Sequence, residues 1–140
     1  MKTQIIKKDV LVIGERVDDF PAGIGEAFKR LMSLVGDSTD RPYSRSYYGI
    51  FRQADDGTMT YYATVEEREP AEAAEWRLEK QTVPKGNYVV ETLTNWRSQT
   101  GTVSGIFKRL SQTPGIDPAS PGIEWYPGEN VMYCMLKLKE

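Results

Sequence analysis

The stretch Phe28-Lys29-Arg30-Leu31 recurs as Phe107-Lys108-Arg109-Leu110, and this repeat decides the fold. The two copies lie 79 residues apart (107 − 28), and each closes an apolar stripe at helical spacing. The same offset places Val10-Leu11 over Val89-Val90, each in a β-rich run ahead of its helix, and two strand-like segments follow each helix. Because an internal repeat fixes the architecture on which motifs sit, the sequence predicts a duplicated β-α-β-β unit. The predicted fold class is α+β, with pseudo-two-fold symmetry, an antiparallel sheet with two helices on one side, and a central ligand groove between the halves.

Length and composition predict one domain. The chain has 140 residues, 39% of them hydrophobic and 27% charged, which is typical of a single soluble globular domain. We therefore assign residues 1–140 to one domain, with halves at approximately residues 1–68 and 76–140. The acidic, alanine-rich residues 67–74, broken by Pro70, form the predicted connector, which has room for one helical turn.

The charge balance argues against direct nucleic-acid binding. Lys and Arg total 18 against 20 Asp and Glu, the formal net charge is −2, and like charges form no block. A nucleic-acid binder normally concentrates basic residues on one face. The start Met1-Lys2-Thr3-Gln4 lacks the apolar core of a signal peptide, and the sequence has no membrane-spanning run. The sequence therefore predicts a cytoplasmic protein without membrane association.

Histidine is absent, which removes the commonest metal ligand and the commonest general base near neutral pH. The sequence predicts no catalytic residue, no metal site and no cofactor. Gly23-Ile24-Gly25 resembles the start of a dinucleotide-binding fingerprint, but Phe28 replaces the third glycine, so we interpret these glycines as loop and helix-start residues. Cys134, the only cysteine, alternates with apolar residues, which predicts a small buried hydrophobe and excludes an intramolecular disulfide.

Apolar periodicity and turn residues place the elements. In the first half we predict one long strand over residues 4–17, a helix that begins near Pro21 and ends at Gly36, and a hairpin of residues 47–53 and 59–66. The second half repeats this order, with extended segments at 76–83 and 86–93, a helix at 98–112, and a hairpin of residues 123–126 and 130–139.

Strand alternation sorts side chains onto the two faces of the predicted sheet, because successive side chains point to opposite sides. In the last strand Met132, Cys134, Leu136 and Leu138 form an apolar face that we place against the helices, which leaves Val131, Tyr133, Met135 and Lys137 on the other face. In the first half the same rule places Met59, Tyr61, Ala63 and Val65 toward the helix and Thr60, Tyr62, Thr64 and Glu66 away from it. A face that presents Tyr62 and Tyr133 suits a cleft for a flat or lipophilic ligand.

Several stretches carry a family resemblance. Val83-Pro84-Lys85-Gly86-Asn87-Tyr88-Val89-Val90 resembles the "I-P-x-G-x-Y" strand entry of the GyrI-like effector-binding domains, which also occur behind the DNA-binding region of bacterial AraC-type and MerR-type multidrug regulators. Further matches follow in the family's order: residues 61–66 are similar to "Y-x-A-G-V-E" with Thr64 in the glycine place, Ile123-Glu124-Trp125-Tyr126 resembles "F-E-x-Y", and Val131-Met132-Tyr133-Cys134 resembles the closing "E-x-Y-x". The resemblance covers the whole chain.

The resemblance implies a central groove that binds small, often aromatic and cationic molecules beside an acidic residue. The family's closing strand carries that glutamate at the position of Val131, so the usual anchor is missing, and Glu66 and Glu124 are the candidate replacements. The expected ligand-binding residues are Tyr48, Tyr62, Glu66, Glu124, Trp125, Tyr126, Val131 and Tyr133. Each tyrosine also has a purely structural interpretation, since strands favour aromatic residues for packing alone.

Three functions follow from these observations and the resemblance. The leading one is a stand-alone small-molecule-binding domain that senses or sequesters hydrophobic, aromatic and in some cases cationic ligands. The second is a hydrolase of small electrophilic compounds in the same pocket, in which a carboxylate orients water. The third is a protein-interaction inhibitor of a topoisomerase-like partner. Binding without catalysis is favoured, and a protein partner or a homodimer is compatible with it.

Overall fold

The computed structural model describes residues 2–19, 22–37, 43–128 and 130–140. Its strands are β1 (Lys2–Ile6), β2 (Val10–Arg16), β3 (Tyr47–Gln53), β4 (Met59–Glu66), β5 (Glu79–Val83), β6 (Gly86–Thr94), β7 (Gly122–Tyr126) and β8 (Val131–Lys137). Its α-helices are α1 (Ile24–Val35), α2 (Glu72–Trp76) and α3 (Val103–Ser111), and short 3-10 turns at Trp96–Ser98 and Thr100–Thr102 precede α3. The predicted start of the first helix at Pro21 lies outside the described residues.

All eight strands form one antiparallel sheet in the order β1-β6-β8-β7-β3-β4-β2-β5. Reading this order from either end exchanges β1 with β5, β2 with β6, β3 with β7 and β4 with β8. The pseudo-two-fold axis therefore passes between β3 and β7, at the centre of the sheet. The predicted α+β class, the antiparallel sheet and the duplicated β-α-β-β arrangement are confirmed.

The long helices α1 and α3 bury equivalent residues of the repeat. Leu31 and Leu110 are 0% and 2% exposed, so both copies of the repeated stretch anchor a helix in the core. Gly36 ends α1 in the left-handed conformation (φ 85°), and its N–H donates to the carbonyls of Met32 and Ser33, which is a common glycine cap. Burying a side chain such as Phe107 contributes about 1.5–3 kcal/mol of stability.

The sheet has a buried cluster on each face. Helix residues pack with Met132 and Cys134 on one face, whereas Met135 and Tyr133 belong to a second cluster without helix residues. The predicted sorting of β8 onto two faces is therefore confirmed. The second cluster joins residues from opposite halves of the chain, namely Val12, Val83, Ile50, Tyr88, Val90 and Ile123. The sheet is curled, a half-barrel, and residues of both halves pack together on the face that has no helices.

The prediction of one long strand over residues 4–17 is wrong. The extended chain breaks at Lys7-Lys8-Asp9, after which β2 pairs with β4 and β5, while β1 crosses to the other half and pairs with β6. The Asp9 carboxylate (Oδ1) accepts a hydrogen bond of 2.8 Å from the Lys85 N–H, which joins this break to the turn between β5 and β6. The break lets the two halves exchange edge strands.

Three further details differ from the sequence-based expectation. The 79-residue offset matches the helices but not the strands, because Leu11 is 57% exposed whereas Val90 is 5% exposed. Trp76 ends α2 instead of starting a strand, since Arg77 adopts a left-handed conformation (φ 56°). The predicted helix at 98–112 is α-helical only from Val103 to Ser111.

Within the described ranges, none of the helices has the length and apolar character needed to cross a bilayer.

Candidate functional site

A cavity of about 980 Å³ lies between α1 and α3, above the helix-facing side of the sheet. This volume is within the range of small-molecule sites. Its lining is mainly aromatic and aliphatic and includes Ile24, Phe28, Met32, Tyr47, Phe51, Tyr61, Trp96, Val103, Phe107, Glu124, Tyr126 and Met132.

Aromatic pairs related by the pseudo-two-fold axis form opposite walls of the cavity. The ring of Phe28 on α1 lies 5.3 Å from that of Tyr126 on β7, and the ring of Phe107 on α3 lies 4.7 Å from that of Phe51 on β3. Trp96 extends one wall, with its ring 5.0 Å from that of Tyr126. Rigid aromatic walls give a ligand a large apolar contact area at little entropic cost.

Glu124 on β7 places a carboxyl group at the floor of this apolar cavity. The residue is 8% exposed. Its Oε1 accepts hydrogen bonds from the Tyr61 hydroxyl at 2.5 Å and from the Tyr126 hydroxyl at 2.8 Å. Burial raises the pKa of Glu124, and the two hydroxyl donors oppose that rise. Among the described lining residues, Glu124 is the only carboxylic acid.

The tyrosines around Glu124 stay protonated hydrogen-bond donors. Burial and the neighbouring carboxyl group raise the pKa of both Tyr61 and Tyr126 well above the usual value. Burial likewise raises the pKa of the Cys134 thiol, which faces Glu124 in the β7–β8 pair, to about 12. The predicted burial of Cys134 is confirmed, and an un-ionised thiol is a poor nucleophile.

Gly49 on β3 makes room for this hydrogen-bonded group. It stands directly across from Glu124 in the β3–β7 register. A Cβ atom at Gly49 would lie 2.0 Å from the Tyr61 hydroxyl oxygen and 2.5 Å from Glu124 Oε1. Any larger residue would therefore displace one of the two groups. A glycine within a strand, between Tyr48 and Ile50, was the available sequence signal for this close approach.

The rim of the cavity is basic. The Arg97 guanidinium lies 4.8 Å above the Trp96 ring and donates a hydrogen bond of 3.1 Å to the Tyr43 hydroxyl. Lys29 lies on α1 and also lines the cavity. The Tyr47 hydroxyl donates to Asp37 at 2.6 Å, so this lining tyrosine already has a partner.

The structure divides the predicted site residues between the two faces of the sheet. Glu124 and Tyr126 line the cavity. Tyr48, Tyr62, Trp125 and Tyr133 belong to the cluster on the opposite face, where Trp125 stacks on Tyr48 and lies 5.0 Å from Tyr133 between ring centroids. Glu66, at the end of β4, and Val131, at the start of β8, do not line the cavity.

The cavity thus lies on the face opposite to the cleft expected between Tyr62 and Tyr133. Alternation predicted the faces of Tyr62 and Tyr133, but the helices determine where space remains. The lining residues Phe28, Phe51, Tyr61, Trp96 and Phe107 were not among the expected site residues. In the described parts of the chain, His, Cys, Asp and Glu form no group of three that could hold a metal ion.

No protein-family model matches the chain, and no curated protein matches it in sequence. Solved structures share its fold over nearly its whole length. The structure of SAV2435 bound to tetraphenylphosphonium is similar with a TM-score of 0.71 at 14% identity, over 99% of this chain and 93% of that one. An integron cassette protein from the mobile metagenome of Vibrio cholerae matches with a TM-score of 0.69 at 17% identity, over 99% of this chain and 95% of that one. A Staphylococcus aureus protein assigned to bacterial transcription regulation matches with a TM-score of 0.66 at 12% identity, over 99% of this chain and 97% of that one. At these identities the similarity shows the fold, and the ligand has to be argued from the site.

Proposed function

We propose that this chain is a small-molecule-binding domain whose cavity takes lipophilic cations, with Glu124 as the countercharge. The observation that carries the proposal is a buried carboxyl group on the floor of an aromatic cavity of about 980 Å³. Aromatic walls select a flat or bulky apolar molecule, and the carboxyl group selects its charge.

The energetics of a buried carboxylate favour a cation. A carboxylate removed from water is costly unless it is paired, and the two tyrosine hydroxyls compensate only part of that cost. Charge–charge attraction is stronger in a poorly solvated cavity than in water. The aromatic rings of Trp96 and Tyr126 line the cavity and are groups of the kind that attract a delocalised positive charge.

One of the similar solved structures supports this ligand class. Tetraphenylphosphonium, the ligand named for SAV2435, is a lipophilic cation. We further propose that the chain is a GyrI-like effector-binding domain that senses or sequesters such compounds, on the basis of the four matching stretches and the duplicated fold. In this proposal Glu124 replaces the glutamate that the family carries at the position of Val131.

The proposal is tested with two probes of nearly equal shape and opposite charge, tetraphenylphosphonium and tetraphenylborate, in calorimetric titrations at neutral pH. We expect the cation to bind and the anion to bind at least about tenfold more weakly, because Glu124 attracts only the cation. Glu124→Gln should weaken binding of the cation by at least about tenfold, because it removes the charge that attracts the cation.

Glu66→Gln is the matched control, because it removes a carboxylate that does not line the cavity. It should leave the affinity for tetraphenylphosphonium unchanged. Equal affinity for the two probes, or equal weakening by the two variants, would contradict the proposal. The absence of direct nucleic-acid binding, a protein partner or homodimer, and a cytoplasmic location stay predictions.

A further inference from the structure

We propose that the same cavity accepts a second class of ligand, neutral molecules with a strong hydrogen-bond acceptor, and that the protonation state of Glu124 selects between this class and cations. This inference rests on the proposed function. The inference follows from the hydrogen bonds of the Glu124 carboxyl group, since the described part of the chain donates to only one of its two oxygens.

Both tyrosine hydroxyls donate to the same oxygen of Glu124. Tyr61 and Tyr126 each donate to Oε1, and the described residues place no donor on Oε2. An ionised Glu124 therefore offers Oε2 as an anionic contact for a cation. A protonated Glu124 carries its proton on Oε2, because Oε1 already accepts two hydrogen bonds. That O–H group then needs an acceptor, and a ligand in the cavity can supply one.

Among the ionisable groups of the described residues around Glu124, none of those that line the cavity is a second carboxylic acid. The neighbouring strands contribute phenols and a thiol, and the rim contributes cations, while the cavity-facing residues of α3 are not ionisable. These groups are Tyr47 on β3, Tyr61 on β4, Tyr126 on β7, Cys134 on β8, Lys29 on α1 and Arg97 in the turn before α3. The Tyr47 hydroxyl is bonded to Asp37, which is itself 8% exposed.

The two ligand classes then depend on pH in opposite directions. Burial raises the pKa of Glu124 in the empty cavity, so a protonated form exists at pH values where an exposed glutamate is ionised. A cation binds the ionised form and releases the proton, so its affinity rises with pH up to the pKa of the empty cavity and is constant above it. A neutral acceptor binds the protonated form, so its affinity is constant below that pKa and falls above it.

The test uses tetraphenylphosphonium as the cation and triphenylphosphine oxide as a neutral acceptor of similar shape. Each is titrated calorimetrically into the protein at a series of pH values, in buffers of different ionisation enthalpy, which reports the number of protons exchanged. Below the pKa of the empty cavity we expect cation affinity to rise about tenfold per pH unit, with release of about one proton. Above that pKa we expect the phosphine oxide affinity to fall.

Glu124→Gln mimics the protonated state, since the amide can accept from the tyrosines through its oxygen and donate to a ligand through its nitrogen. It should keep phosphine oxide binding, make it independent of pH, and lose most cation affinity. Glu66→Gln should retain both wild-type pH profiles.

The outcomes separate this inference from the proposed function. Cation binding that is independent of pH and releases no proton, or phosphine oxide affinity that does not fall with rising pH, overturns this inference and leaves the proposed function standing. Failure of both probes to bind the wild-type protein at every pH overturns the two together.

Discussion

At the scale of single residues, the site depends on one acid and on the missing side chain opposite it. Glu124 and Gly49 face each other across β7 and β3, and the Tyr61 hydroxyl occupies the space that a Gly49 Cβ would fill. With a larger residue at that position, Tyr61 or Glu124 would have to move, which would disturb the hydrogen bond between them. Two tyrosine donors then hold the carboxyl group in a cavity that otherwise offers it little solvation.

Gly49→Ala tests this close approach. The added methyl group would lie 2.0 Å from the Tyr61 hydroxyl oxygen, so we expect the free energy of unfolding to fall by about 1–3 kcal/mol, as in overpacked cores. Urea denaturation measures this change. Gly105→Ala is the control, because its Cβ would meet no atom within 4 Å and alanine favours the helix by about 0.8–1 kcal/mol. Unchanged stability in Gly49→Ala would show that the space is not constrained.

Glu124→Gln tests the cost of the buried charge. Folding raises the pKa of Glu124 above its unfolded value, so its contribution to stability is fully present below the unfolded pKa and is lost as pH rises through the folded pKa. The variant does not titrate here, so its stability relative to wild type should increase with pH. The full increase in the relative free energy of unfolding is about 1.4 kcal/mol for each unit by which folding raises the pKa of Glu124. Paired urea titrations at several pH values measure it, and a difference independent of pH would contradict it.

At the scale of elements, the short helix α2 between the two halves is fixed by one ion pair. The Arg45 guanidinium donates to both carboxylate oxygens of Glu72, at 2.8 and 2.6 Å, and the two side chains are only 9% and 7% exposed. The Glu72 carboxylate also accepts from the N–H groups of Arg68 and Glu69. These donors, with Arg45 the largest cause, lower the pKa of Glu72 to about 2.

Glu72→Gln should therefore destabilise the fold at neutral pH by about 2–3 kcal/mol, because it leaves the Arg45 charge buried without a counterion. Because folding lowers the pKa of Glu72, its contribution to stability is fully present above the pKa of the unfolded chain. That contribution is lost as pH falls through the folded pKa of about 2. The difference in the free energy of unfolding between variant and wild type, measured by urea denaturation, should therefore shrink over that acidic range. Glu69→Gln, an exposed change in the same connector, should have little effect. A variant as stable as wild type at neutral pH would contradict this role.

Helices and strands were predictable where the sequence pattern that specifies them is local. The stripe through Leu31 and Leu110 and the cap at Gly36 specify the helices, since helical periodicity and a left-handed glycine act within a few turns. The break at Lys7-Lys8-Asp9 was missed, although it is polar, because apolar residues continue on both sides of it. Which strand each side then pairs with depends on long-range contacts that the local pattern does not contain.

At the scale of the whole molecule, the fold has pseudo-two-fold symmetry but the candidate site does not. The sheet order is the same from both ends, and Phe28 with Tyr126 matches Phe107 with Phe51. At the centre, however, Glu124 faces Gly49 instead of a second acid. Among its described lining residues the cavity therefore offers one carboxyl group, and the proposed function pairs it with a ligand that carries one positive charge.

The location of the cavity was the part of the site that the sequence could not predict. Alternation placed Tyr133 and Met132 on opposite faces, as the structure has them. The cavity lies where α1 and α3 leave space on one side of the sheet, whereas Tyr48 and Trp125 pack into the second cluster on the side without helices. Glu124 was a candidate site residue through the family resemblance, whereas Phe28 and Phe107 were interpreted as core residues only.

The most direct test of the account is a crystal structure of the chain with tetraphenylphosphonium. We predict that the phosphorus atom lies in the cavity between Phe28 and Phe107, with the phenyl rings against Trp96 and Tyr126 and the positive charge beside the Glu124 carboxylate. A cation bound instead on the opposite face, against Tyr48, Trp125 and Tyr133, would contradict the account.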